Sequence, residues 1–131
     1  MGICKFDGKD VKFTPWSEVL GVKQFPIPGA VQNLFTSKDC PKIGATIEKM
    51  KPFPPFTWNN NYDEAWYMIS GTLVVESDGK KYEYNAGDFG LATKGTYTMY
   101  VPENTKEDTI CFVVHCPPID TLLEDFRKIS K

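Results

Sequence analysis

Few residues of this chain are suited to metal or nucleophilic chemistry, because its 131 residues include one histidine and four cysteines. His115 is the single histidine, so a three-histidine metal site is excluded and a histidine-centred catalytic triad has one possible centre. Cys4, Cys40, Cys111 and Cys116 show no Cys-x-x-Cys spacing, which argues against a zinc knuckle or a thioredoxin-type redox site. The sequence also has no nucleophile elbow and no phosphate-binding loop.

Composition places the chain among ordinary globular domains. Hydrophobic residues make up 41% and charged residues 24%, which argues against disordered, collagen-like and membrane classes. The net charge is −2, whereas a general nucleic-acid binder needs a basic face that displaces counterions. The N-terminal residues lack the apolar region of a signal peptide, so we expect a cytoplasmic protein with reduced thiols.

Strand patterns separated by turn residues fill the middle of the chain. We predict strands over Ala30–Thr36, Ile43–Met50, Ala65–Ser70, Thr72–Glu76, Phe89–Ala92, Thr96–Val101 and Thr109–His115. Asp78-Gly79, between Leu-Val-Val-Glu and Lys-Tyr-Glu-Tyr, predicts a two-residue hairpin, because both central positions need a positive φ. Pro52, Pro54 and Pro55 are expected to break the stretch that they occupy.

The two ends of the chain differ from this strand-rich middle. Residues 1–29 are predicted to form an arm with a short strand near Val11–Phe13. Apolar residues from Ile119 to Phe126 recur at i, i+3, i+4 and i+7, which predicts a C-terminal helix in the segment 119–131. Short strands followed by one helix favour an all-β sandwich or barrel that the helix covers.

The region around the hairpin carries a recognisable frame. It consists of Glu64, Gly71, Gly87-Asp88, Thr93-Lys94-Gly95 and Thr98. This frame resembles the two motifs of the cupin superfamily, whose fold is a jelly-roll β-barrel. The resemblance implies one cupin domain over 1–131, with the barrel at 30–118. It also implies a homodimer, because small cupins commonly pair through a shared sheet.

Further residues narrow the resemblance within the cupins. They are Asn61-Tyr62-Asp63-Glu64, Gly71-Thr72-Leu73, Asp78-Gly79, Ala86-Gly87-Asp88, Lys94-Gly95 and Val113–Pro117, with Ala45-Thr46-Ile47-Glu48 upstream. This set is similar to the ethanolamine-utilisation cupin family, the EutQ-like proteins. The resemblance implies a link to bacterial microcompartment metabolism and an acetate-kinase-like activity.

The usual metal ligands of a cupin are replaced in this chain. The positions of the metal-binding histidines hold Trp58 and Asn60, or Thr57 and Asn59, and Thr98. Fe, Mn, Ni and Zn favour imidazole ligands, and the EutQ-like family also lacks these histidines. We therefore predict no metal and no other cofactor, although a weakly held Mg²⁺ brought in by a phosphate ligand stays open.

The cupin pattern implies that Glu64 points into the barrel, and strand alternation then assigns further side chains to the interior. The predicted catalytic pair is Glu64 and Glu48, and the predicted ligand-binding residues are Trp58, Asn60, Tyr62, Trp66, Thr98, Tyr100 and His115. His115 could line the cavity or face solvent. Two carboxyl groups that approach each other would raise one pKa, so that it could donate or accept a proton near neutral pH.

Three functions agree with such an interior. The first is a metal-independent EutQ-like cupin, the second a binding module without catalysis, and the third an isomerase or lyase that uses carboxylate acid–base chemistry. All three place a small polar molecule in an aromatic-lined cavity. None of them involves nucleic acid or a membrane.

Overall fold

A computed structural model of the chain describes residues 13–20 and 27–118. Ten strands and one five-residue helix occupy these ranges. The strands are β1 Thr14–Pro15, β2 Gly29–Phe35, β3 Gly44–Met50, β4 Phe53–Asn60, β5 Asp63–Ser70, β6 Thr72–Ser77, β7 Lys80–Asn85, β8 Phe89–Ala92, β9 Gly95–Val101 and β10 Thr109–Cys116, and the helix is α1 Trp16–Leu20. The all-β expectation is thus confirmed for the described part of the chain.

The strands form two sheets of antiparallel pairs. The six-stranded sheet has the order β1-β2-β3-β10-β5-β8, and the four-stranded sheet has the order β4-β9-β6-β7. Antiparallel sheets commonly cover the core with one face and present the other to solvent. Here the core side chains of both sheets, among them Val31, Met68, Val75 and Val113, form one buried cluster. The strands predicted between residues 30 and 115 are confirmed, with end positions that differ by two residues at most.

The predicted break is confirmed at Pro52, which lies between β3 and β4, and is wrong at Pro54 and Pro55, because Phe53–Asn60 forms strand β4. This strand lies at the edge of its sheet, where a proline need not donate a hydrogen bond. The register with β9 shifts between Phe53 and Phe56, so Pro54 and Pro55 fall in the irregular part of the pairing. An edge position and a bulge therefore accommodate residues that break a central strand.

The tight hairpin is confirmed by its backbone. Asp78 has φ 51° and Gly79 has φ 74°, and Ser77 pairs with Lys80 across the turn. Both central residues have the positive φ that a two-residue loop requires.

The predictions for the two ends are tested only in part. The described arm contains β1 at Thr14–Pro15, which pairs with β2, and the short helix α1. Residues 11 and 12 of the predicted first strand lie outside the described residues, and so does the predicted helix at 119–131. No helix in residues 13–20 or 27–118 is long and apolar enough to cross a membrane.

Candidate functional site

Three adjacent strands of the six-stranded sheet bring Glu48, Glu64 and His115 together. Strand β10 lies between β3 and β5, and His115 on β10 is directly opposite Glu64 on β5. Nε2 of His115 lies 3.7 Å from Oε1 of Glu48 and 3.5 Å from Oε2 of Glu64. His115 is fully buried, and the two glutamate side chains are 15% and 14% exposed. The sequence left open whether His115 lines the interior or faces solvent, and the structure places it in the interior.

Neighbouring polar and aromatic groups surround this cluster. Nδ2 of Asn60 donates to Oε1 of Glu64 at 3.4 Å, and the Thr46 hydroxyl donates to Oε1 of Glu48 at 3.3 Å. The Tyr62 ring meets the His115 ring edge-on, with centroids 5.3 Å apart. Asn60, Tyr62 and Thr46 are all buried, so the cluster is held inside the protein rather than at its surface.

Burial shifts the pKa of each group in the cluster in the direction that favours its neutral form. Burial, together with the negative charge of Glu64, raises the pKa of Glu48 to about 8. Burial raises the pKa of Glu64 to about 7, although the Asn60 hydrogen bond favours its ionised form. Burial lowers the pKa of His115 to about 4. Near neutral pH the histidine is therefore neutral, and the carboxyl pair shares protons as a coupled unit.

A small cavity of about 40 Å³ adjoins the two carboxyl groups. Glu48 and Glu64 contribute to its lining together with aliphatic side chains, among them Met50, Leu73 and Val75. One water molecule needs about 10–15 Å³ of such space, so the cavity holds a molecule of a few non-hydrogen atoms. Such a concave, mainly apolar site with a few convergent polar groups is typical of small-molecule binding.

The structure places five of the predicted ligand-binding residues on the interior. Trp66 lines the cavity, and Tyr62, Asn60 and His115 are buried beside it, around the two glutamates. Trp58 is half-buried on the same face of β4 as Asn60, two residues away. Whether any of these side chains contacts a ligand stays a prediction.

The other two predicted ligand-binding residues, Thr98 and Tyr100, face away from the cavity. In their strand, β9, Tyr97 and Met99 line the cavity instead. Alternation means that an offset of one residue exchanges the inner and outer faces of a strand. The hydroxyl of Thr98 lies 3.2 Å from that of Thr57, and the ring of Tyr100 lies under an exposed lysine amine. Thr98 therefore does not face the interior as predicted, whereas Tyr100 packs against the buried core cluster without lining the cavity.

Sequence reasoning did not single out some residues of this site. Cys111 lines the cavity and is directly opposite Glu48. It has the same parity as His115 on β10, which is the signal that could have identified it. Tyr97 and Met99 were missed because the face of β9 was taken from the motif position of Thr98.

The residues that replace the usual cupin ligands do not fit a metal ion. Thr98 lies on the outer face of β9, and Asn60 directs its amide N–H toward Glu64. Within residues 13–20 and 27–118 there is no group of three or more His, Cys, Asp or Glu side chains arranged to hold a metal. That the protein works without a metal stays a prediction.

The two sheets of antiparallel strands around one core form a cupin-like fold. In agreement, the chain is similar to an RmlC-like cupin from Shewanella frigidimarina NCIMB 400 with a TM-score of 0.65 over 93% of this chain and 96% of that one. The two sequences are 14% identical, so this likeness concerns the fold alone.

The chain belongs to the EutQ family, because the family model described as ethanolamine utilisation protein EutQ matches residues 26–116. It is similar to a solved Salmonella typhimurium LT2 structure described as ethanolamine utilization protein Q, with 25% identity and a TM-score of 0.64 over 86% of this chain and 83% of that one. It is also 36% identical over 73 residues to the acetate kinase EutQ of Clostridioides difficile strain 630. That match covers 55% of this chain and 46% of the relative, so the chain spans less than half the length of this curated relative.

Proposed function

We propose that this EutQ-family protein binds a small polar molecule beside Glu48 and Glu64 and exchanges a proton with it. The main support is geometric, since two buried carboxyl groups converge on one nitrogen of a buried histidine. A pKa of about 8 for Glu48 and about 7 for Glu64 suits a proton donor and acceptor near neutral pH. The proposed chemistry is that of a metal-independent acid–base cupin.

The test begins with thermal-shift measurements on ethanolamine, acetate, acetyl phosphate and other small polar molecules. Any compound that stabilises the protein is then followed by NMR in D₂O for turnover or for exchange of its C–H protons. We expect Glu48→Gln and Glu64→Gln to lower the exchange rate by about 10²-fold or more, the usual contribution of a general acid or base.

Glu107→Gln is the matched control, because Glu107 is exposed in the loop before β10. It should leave both stabilisation and exchange unchanged. Stabilisation by a compound that is neither turned over nor exchanged would contradict the proton transfer and support a binding module without catalysis.

A second candidate function is phosphoryl transfer of the acetate kinase type, which the 36% identity to the acetate kinase EutQ favours. Phosphoryl groups are commonly held by Arg, Lys or a metal. Among the described residues, the cavity lining includes Glu48 and Glu64 but no Lys or Arg. We therefore place such an activity outside this cavity. Exchange between acetyl phosphate and ADP should survive Glu48→Gln and Glu64→Gln, and its loss in both variants would contradict this placement.

We also propose that a second copy of the chain covers an apolar patch on the outer face of the six-stranded sheet. The patch consists of Tyr67 and Ile69 on β5 with Phe89 and Leu91 on β8. Phe89 and Leu91 are 77% and 70% exposed, and the rings of Tyr67 and Phe89 lie 4.9 Å apart. None of these side chains carries a charge, so the patch is complementary to itself across a two-fold axis.

Light scattering on the purified chain tests this interface. We expect a dimer for the natural chain and a monomer for Leu91→Asp, because a buried, unpaired carboxylate opposes association. Tyr82→Asp is the control, since Tyr82 is 45% exposed on the other sheet. A natural chain that is monomeric would contradict the proposal.

A further inference from the structure

We propose that the molecule bound beside Glu48 and Glu64 is a small primary ammonium ion that carries a short alkyl chain. This inference rests on the proposed function, because it names the ligand class of the same cavity. Three features of the described residues support it: an excess of hydrogen-bond acceptors, the absence of a lysine or arginine from the lining, and an apolar wall of limited size.

Several buried polar atoms around the carboxyl pair have no hydrogen-bond partner. They are Oδ1 of Asn60, both ring nitrogens of His115 and the indole N–H of Trp66, so acceptors outnumber donors once the carboxylates are included. A neutral imidazole keeps one acceptor nitrogen, and a carboxylate only accepts. An ammonium group has three N–H donors and no acceptor, so it can serve Glu48, Glu64 and one further acceptor at once.

The carboxyl pair has no lysine or arginine beside it in the described part of the chain. The cavity lining holds neither Lys nor Arg, and Lys49 and Lys51 both pair with Asp108. A buried carboxylate is costly unless a partner of opposite charge is present. A bound cation supplies that partner, whereas an anion adds repulsion.

The rest of the lining determines the size and shape of the ligand. A cavity of about 40 Å³ has room for about four non-hydrogen atoms. Met50, Leu73 and Val75 suit a short alkyl chain, and Trp66 and Tyr97 in the same lining can attract a cation to their ring faces. A bare metal ion would leave this apolar wall without contacts.

Isothermal titration with ethylammonium chloride tests the proposal, with ethanol and sodium acetate as neutral and anionic molecules of similar size. We expect saturable binding of ethylammonium alone, tighter at pH 8 than at pH 6 because protons compete with the cation for the carboxylates. Titrations in two buffers of different ionisation enthalpy should show proton release. Glu48→Gln should weaken binding by about tenfold or more, as expected for hydrogen bonds to a charged group, and Glu107→Gln should not change it.

Absence of ethylammonium binding to the folded natural chain would overturn the inference. Glu64→Gln provides a second variant should Glu48→Gln fail to fold, and an undiminished affinity in the folded variant would also overturn the inference. Binding of ethanol or acetate that depends on Glu48, without binding of ethylammonium, would overturn the ammonium class while leaving the proposed function in place. Failure of the ammonium ligand class and failure of the proposed function therefore give different results.

Discussion

A double variant with Glu48→Gln and Glu64→Gln should be more stable than the natural chain at pH 9, by several kcal/mol. Both carboxyl groups have a pKa of 4.5 as a reference, and the fold raises these values to about 8 and about 7. Below pH 4.5 both groups are protonated in the folded and the unfolded chain, so their stabilising effect is complete. Between pH 4.5 and 8 only the folded chain retains the protons, and its stability falls as the pH rises.

Urea unfolding at pH 5, 7 and 9 measures this effect. The natural chain should lose stability over that range, whereas the double variant should have a much flatter profile because amides do not titrate. Glu107→Gln, which removes an exposed carboxylate, should keep the natural profile. Parallel profiles for the natural chain and the double variant would contradict the raised pKa values.

His115 affects the acid side of the same profile. Burial lowers its pKa from 6.5 to about 4, so its contribution to stability is present above pH 6.5 and is lost as the pH falls toward 4. The glutamates reduce stability above pH 4.5 and the histidine reduces it below pH 6.5. Between these two values two carboxyl groups outweigh one histidine, so from these groups we expect stability to be greatest near pH 4.5 and to fall as the pH rises.

Gly71→Ala should destabilise the fold by about 4 kcal/mol, a large share of the stability of an ordinary domain. Gly71 has φ +76°, and a Cβ atom there would lie 2.3 Å from Oγ1 and 2.5 Å from Cα of Thr109. Thr109 cannot easily yield, because its hydroxyl accepts from the amide of Thr72 and donates to the Thr72 carbonyl, both at 3.1 Å. The substitution therefore combines an unfavourable φ with overlap against a central strand.

Gly79→Ala is a matched control for this substitution. Gly79 has φ +74°, nearly the same as Gly71, but no atom lies within 4 Å of its hypothetical Cβ. It should cost about 1 kcal/mol, the penalty of a positive φ alone. Chemical unfolding of both variants isolates the overlap as the difference between them. Equal losses of stability would show that the close approach to Thr109 is relieved without cost.

Local patterns predicted most of the strands and the tight turn, because these features depend on neighbouring residues. Asp78-Gly79 has few alternatives to a hairpin, because both positions of such a turn need a positive φ. The same reasoning failed at Pro54 and Pro55, since a proline is acceptable or disruptive according to whether its strand is central or at an edge. The edge position of β4 results from the order of all strands in its sheet.

The candidate site was predictable in its residue types and less so in its arrangement. Glu64 was taken as inward from the cupin resemblance, strand parity then added Asn60 and Tyr62, and Glu48 was a candidate on an earlier strand. The structure brings these four residues together. Parity failed for Thr98, because the choice of face on β9 depends on how that strand pairs with β4 and β6. The sequence of Gly95–Val101 mixes polar and aromatic residues, so it does not indicate which of the two possible faces of the strand is buried.

The sequence by itself determined that His115 is the sole histidine, that the usual cupin ligands are replaced, and that carboxylates are left for any acid–base chemistry. Only the tertiary structure decided that His115 enters the interior and meets both Glu48 and Glu64. The physical reason is long-range pairing: β10 is hydrogen-bonded to β3 on one side and to β5 on the other. Burial by the second sheet then removes water from these groups and moves their pKa values, an effect that no residue carries in isolation.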